Sequence, residues 1–166
     1  MPAGSTYTPI ATATGNGSGN TITFTSIPST YTDLIVVMTY QNVSGGAYVS
    51  MRINNDSGSN YSFTQLYGTG SAAGSARSSN QTEITFESDP TTPNLGNGIF
   101  QFQNYANTSV NKTWLMRTNV ASDVTRAMVG LYRSTSAINR LDFYDLGGSR
   151  AFTSGTVFTL YGLAAA

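Results

Sequence analysis

The chain has 166 residues, eight basic and eight acidic side chains, no His and no Cys, and a charged fraction of only 10%, against about 25% in an ordinary soluble domain. Without imidazole or thiolate, the common catalytic triads and zinc sites lack their bases and ligands, and a net charge of zero provides no field to draw nucleic acid or anionic lipid. The length fits one domain that buries roughly 70% of the surface its unfolded chain exposes, and a weakly charged surface of Ser, Thr, Asn and Gly lacks the repulsion that keeps copies apart, which suits assembly.

Residues 1–19 read as an N-terminal arm and 20–166 as a single β-sandwich domain. The arm has neither the basic start nor the apolar stretch of a secretion signal. Its Pro2, Tyr7, Pro9 and Ile10 are the candidate partner contacts, because a short segment of this kind takes its conformation from what it lies against. Docking on a neighbour, a frayed end and a first strand in its own sheet all fit this pattern. The longest apolar run, Leu34 to Met38, falls far short of the roughly 20 residues a bilayer helix needs, so no membrane partner is expected.

After a turn at Gly15 to Asn20, the pattern from Thr21 to Thr25 places Ile22 and Phe24 on one face and threonines on the other, the period of a half-buried strand. Asp33 to Tyr40 is apolar on both sides, as expected for a central strand covered on both faces. Alternation resumes over Ala47 to Ile53, then at Tyr61, Phe63 and Gln65. Gly70 to Ser79 is small and polar and reads as a long surface loop, with Gly74 against a helix. Ile84 and Phe86 follow between Glu83 and Glu87, then Phe100 with Phe102, and Trp114 with Met116 opposite Leu115. Val120, Val124, Met128 and Leu131 approach helical spacing after a potential cap at Ser122 or Asp123. Gly130 and its neighbours favour a strand at Arg126 to Arg133 instead. Leu141 with Phe143 and Phe158 with Leu160 close the series.

Gly45-Gly46, Asn54 to Gly58, Asn97-Gly98 and Gly147-Gly148 separate these runs with residues that reach positive φ cheaply and close hairpins. The expected fold is all-β: an antiparallel, jelly-roll-like β-sandwich of eight to ten strands.

Candidate chemistry is sparse. Glu83 and Glu87 on one strand face would stand roughly 13 to 14 Å apart, wider than the about 5 to 9.5 Å of glycosidase pairs. A carbohydrate-cleaving reading would rest on Glu83 and Asp142. The loop Asn54 to Asn60 offers several oxygens, but with one carboxylate and no closing bidentate Glu it reads as a turn before a calcium site. The ten Tyr and Trp114 could form a sugar platform, yet they are spread at core-compatible periods. No catalytic, cofactor-binding or metal residue is assigned, and the chain reads as no enzyme.

Four phrases carry a resemblance: Met1-Pro2-Ala3-Gly4-Ser5-Thr6-Tyr7, Ile27-Pro28-Ser29-Thr30-Tyr31-Thr32-Asp33-Leu34, the stretch from Arg52-Ile53-Asn54 to Ser59-Asn60-Tyr61, and Phe158-Thr159-Leu160-Tyr161-Gly162-Leu163. The chain resembles the small virion proteins of tailed bacteriophages. That resemblance implies a jelly-roll decoration or cement protein on the capsid surface, made in the host cytoplasm, commonly a homotrimer, with the major capsid protein as its partner. The alternative it implies is a tail-fibre or spike domain that binds a saccharide receptor.

Overall fold

Alternation at every second residue turns one face of each strand toward a shared core, so the many short runs are stable only when layered against one another. The structure, a computed structural model that describes residues 6–42, 48–87 and 94–164, contains twelve strands and no helix among those residues. In chain order they are β1 (Tyr7–Thr14), β2 (Thr21–Phe24), β3 (Asp33–Tyr40), β4 (Val49–Ile53), β5 (Tyr61–Gly68) and β6 (Ala73–Gln81). The second half holds β7 (Ile84–Glu87), β8 (Gly96–Gln103), β9 (Lys112–Val120), β10 (Val124–Tyr132), β11 (Leu141–Asp145) and β12 (Val157–Leu163).

All pairings are antiparallel. The small sheet runs β2-β11-β4-β7 and the large one β1-β12-β3-β8-β9-β10-β5-β6. Taken alone, β1-β12-β3-β8 facing β2-β11-β4-β7 is the eight-strand jelly roll, with the chain changing sheet at each successive strand except from β4 to β7, which share the small sheet. Two hairpins widen one sheet. β9-β10 leaves after β8 and extends its edge, and β5-β6, inserted between β4 and β7, adds to β10. The sandwich expected from alternation is therefore present, with two strands more than the upper expectation.

Between the sheets lies an aromatic core. Phe143 on β11 meets Phe24, Phe86, Phe100 and Phe158 with ring centroids 5.0 to 6.5 Å apart, in tilted or edge-on arrangements that suit the ring quadrupole. Gly130 on β10 pairs with Trp114 on β9, and the indole lies flat over it: a Cβ at Gly130 would stand 1.9 Å from that ring. A glycine that weakens a strand by itself is thus required by its cross-strand neighbour. Lys112, the chain's single lysine, is 1% exposed. Its ammonium donates to the carbonyls of Asn107, Val110 and Thr135 at 2.5 to 2.9 Å, tying the β8–β9 loop to the segment after β10.

The structure corrects or sharpens four local expectations. Gly70 to Ser79 is not a loop over its whole length, because Ala73–Gln81 is β6, an edge strand held by its backbone ladder to β5. Its small residues have no core to enter, so the side-chain alternation that marks other strands is missing. β3 is central but not covered on both faces: Ile35 is buried while Val37 is 43% exposed, because the described residues form no third layer over the large sheet. Residues 121–123 form a turn and lead into β10, which begins two residues before the expected Arg126. Tyr7 to Thr14, read as part of the arm, forms β1 and pairs with β12, with a bulge between Pro9 and Ala11.

Candidate docking surface

Each sheet turns its second face outward, and the two outer faces differ in kind. On the small sheet, polar side chains answer one another. Arg140 grips Asp142 through two nitrogens at 2.8 Å, and Thr23 donates to the same carboxylate at 2.8 Å. Arg52 donates to Glu83 at 2.7 Å, lies over the Tyr144 ring, and Tyr144 donates its hydroxyl to Glu83 at 2.6 Å. Burial first, and then the hydrogen bond to Glu83, push the Tyr144 hydroxyl well above the ordinary phenol range. A hollow of about 280 Å³ sits there, lined by Arg52, Arg140, Asp142 and Tyr144 among others.

The outer face of the large sheet is aliphatic. Val37 on β3 pairs with Ile99 on β8, Leu115 on β9 with Val129 on β10, and Ala127 on β10 with Leu66 on β5. Leu66 is 64% exposed, Val129 52% and Leu115 47%. Three hollows of about 680, 530 and 420 Å³ share lining residues and form one groove along β9 and β10. Ile99, Leu66, Ala127 and Arg117 line the first two, and Leu115, Val129 and Thr64 the last two. From Thr113 to Asn119 the floor spans six strand steps, roughly 20 Å.

The described charge lining the groove has one sign. Arg117 lies on the groove floor between Ile99 and Ala127, Arg77 lines its far end, and among the described residues no carboxylate lines any of the three hollows. Among the described residues, Arg77 and Arg117 have no acidic group within ion-pair distance. Arg126 lines the first hollow from the opposite side of β10, donating to Gln65 at 3.0 Å and lying over the Tyr67 ring.

The residues singled out by sequence fall elsewhere. Tyr7 is exposed at the outer edge of the large sheet, edge-on to Tyr161; Pro9 is exposed beside it and Ile10 packs partly against the core. Pro2 lies outside the described residues. Glu83 and Asp142 come together on the small sheet's outer face, each engaged by an arginine as above. For Glu87 the structure describes only its backbone pairing with Val49. In the Asn54–Asn60 loop, Asn54 and Asn55 adopt φ of 54° and 56°. Asp56 accepts from Gly58 N–H, Asn60 and Tyr132 at 2.7 to 2.9 Å. Burial raises the Asp56 pKa, but these hydrogen bonds outweigh it and hold the carboxyl below its ordinary value. Trp114 is 1% exposed and faces the core. Sequence reasoning missed the groove residues, although the signal was there: Leu115, Val129 and Leu66 break the rule that one face of each run is polar.

No protein-family model matches the chain, and no curated protein is similar to it in sequence. Among solved structures, the alginate lyase Aly36B bound to alginate tetrasaccharide aligns with a TM-score of 0.29 at 9% identity, over 81% of this chain and 80% of its own. A marine PL-14 alginate lyase from Aplysia kurodai aligns at 0.32 and 9%, over 84% and 72%. A protein of unknown function from Shewanella oneidensis MR-1 aligns at 0.22 and 7%, over 100% and 82%. Likeness at this level carries no argument about what the chain does.

Proposed function

We propose that the chain is a non-enzymatic structural protein of a bacteriophage virion that decorates or cements the capsid by docking on major capsid subunits, with the outer face of its large sheet as the contact. The observation that carries the docking part is the groove: four of five adjacent strands present exposed aliphatic side chains on one surface, and the fifth, β8, adds the half-buried Ile99. An apolar surface of this kind, rimmed by polar residues, marks an interaction site in a soluble protein. The capsid as partner rests on the sequence resemblance. Mechanism follows from area: a standard interface buries about 800 Å² per partner, and binding to the assembled shell alone shifts the equilibrium toward it by mass action. Many copies on one shell multiply a modest individual affinity. The small sheet's carboxylates are already held by arginines, which supports a structural use of Glu83 and Asp142 over a catalytic one.

Electron microscopy of the virion tests the proposal. Density for this chain across joints between capsid subunits is the expected result, with the large sheet inward. Density at the tail, together with saccharide binding by the purified chain, would replace it with the receptor-binding alternative.

A further inference from the structure

We infer that the occupant of the groove is a protein segment that places a carboxylate on Arg117 inside an aliphatic frame. This rests on the reading of the large sheet's outer face as a docking surface and names the chemistry that the surface selects. Arg117 stands between Ile99 and Ala127 across the strands and two positions from Leu115 along its own. It is exposed, and no carboxylate among the described residues lies within ion-pair distance. Covering that floor with apolar atoms alone would strip the guanidinium of water and return nothing, at a cost of several kcal/mol per ion. A partner that covers it must therefore bring an acceptor, and a carboxylate meets the guanidinium fork in two parallel hydrogen bonds.

The other occupants fit less well. A second copy set face to face would oppose Arg117 and Arg77 with their own kind and supply no carboxylate from this lining, and like charges so juxtaposed are costly. A saccharide would be expected to stack on aromatic rings. Trp114 and Phe63 face the core, Tyr67 lines only the first hollow with Arg126 lying over its ring, and the floor along β9 and β10 is built chiefly of aliphatic side chains around Arg117. Aliphatic side chains complement such a floor. An extended segment of about six residues matches the roughly 20 Å length.

Selection of a randomised heptapeptide display library on the immobilised chain tests this, with Arg117→Ala and Arg117→Glu as counter-targets. The expected result is a consensus of one Asp or Glu flanked by Leu, Ile or Val. Synthetic peptide of that consensus should bind at least about 30-fold more weakly to Arg117→Ala, with the unfolding midpoint of the variant unchanged because the side chain is exposed. Arg117→Lys should recover part of the loss. No enrichment, a basic or aromatic consensus, or equal binding to Arg117→Glu would overturn the inference. So would displacement by a uronic-acid tetrasaccharide, which would make the groove a glycan site, or Arg117-dependent self-association in sedimentation. The two readings fail separately. Virion binding that survives Arg117→Glu sinks the inference and leaves the structural role, whereas peptide binding by a chain absent from the capsid does the reverse.

Discussion

The outer face of the small sheet and that of the large sheet are built on the same pleat, yet only one is finished by its own side chains. On the small sheet each described ionic group facing outward finds a counter-group within the sheet: Arg52 with Glu83, Arg140 with Asp142. On the large sheet no described residue covers the aliphatic row, and Arg117 has no described acidic group within ion-pair distance. The lesson is that jelly-roll periodicity secures one face of each strand and leaves the other to the chain's purpose. A face closed by its own network contributes to stability, whereas an open one reserves its interactions for something else.

That contrast has consequences that grow smaller from the core outward. Alkaline pH should act most strongly, through the closed parts of the molecule. Burial pushes the Tyr61 hydroxyl far up, while burial and the hydrogen bond to Asp56 push that of Tyr132 to about 12. Below pH 10 both are protonated folded or unfolded, and their contribution is fully present. Above it the unfolded chain releases protons the folded chain retains, so stability falls by about 2.7 kcal/mol per pH unit for the two together, and Tyr144 and Tyr105, raised likewise by burial, steepen the fall. Denaturant unfolding measured from pH 9 to 12 should show that slope. Lys112 acts in the opposite sense, since burial lowers its pKa and stability gains as pH climbs toward its ordinary value, but one group cannot offset two. Among the described residues the groove lining holds no Asp, Glu, His or Cys, so docking should be flat between about pH 5 and 9.

Trp114→Ala should cost about 3 to 5 kcal/mol in urea unfolding, because it empties the space beneath the groove floor. Asp142→Ala removes the acceptor for Arg140 and Thr23 and should cost about 1 to 3 kcal/mol, with Asp142→Asn costing less. If instead Asp142→Asn left stability intact and abolished a measurable cleavage of a polysaccharide, the closed face would have to be reread as a catalytic one. Leu66→Ser, on the open face, should change stability by no more than about 0.5 kcal/mol while weakening attachment to the virion in co-sedimentation. A large loss of stability there would mean that the two faces do not differ as described.

Much of the architecture is legible in the chain because inward positions recur every second residue, as in Ile22 and Phe24 or Phe100 and Phe102. β6 escaped because its residues, from Ala73 to Gln81, are small or polar on both sides, and a backbone ladder leaves no mark in side-chain type. β1 was equivocal for a related reason. Pro9 and the bulge at Ile10 interrupt its alternation, devices that also keep an edge strand from recruiting strangers. The docking face was harder still, since exposed Leu115 and Val129 look like core residues until neighbouring strands are known. Only the register, which sets Leu115 beside Val129 and Ala127 beside Leu66, gathers them into one surface. The Glu83 and Asp142 pairings were hidden likewise, being made between strands remote in sequence.

The β5-β6 hairpin departs from one jelly-roll strand, β4, and returns to another, β7, while supplying the groove with its second wall. Its tip at Thr69 to Ala72 closes on itself through a single backbone hydrogen bond. Related chains could therefore lengthen, shorten or recolour that wall without disturbing the double Greek key, so that what the groove accepts can drift quickly over a framework that scarcely changes.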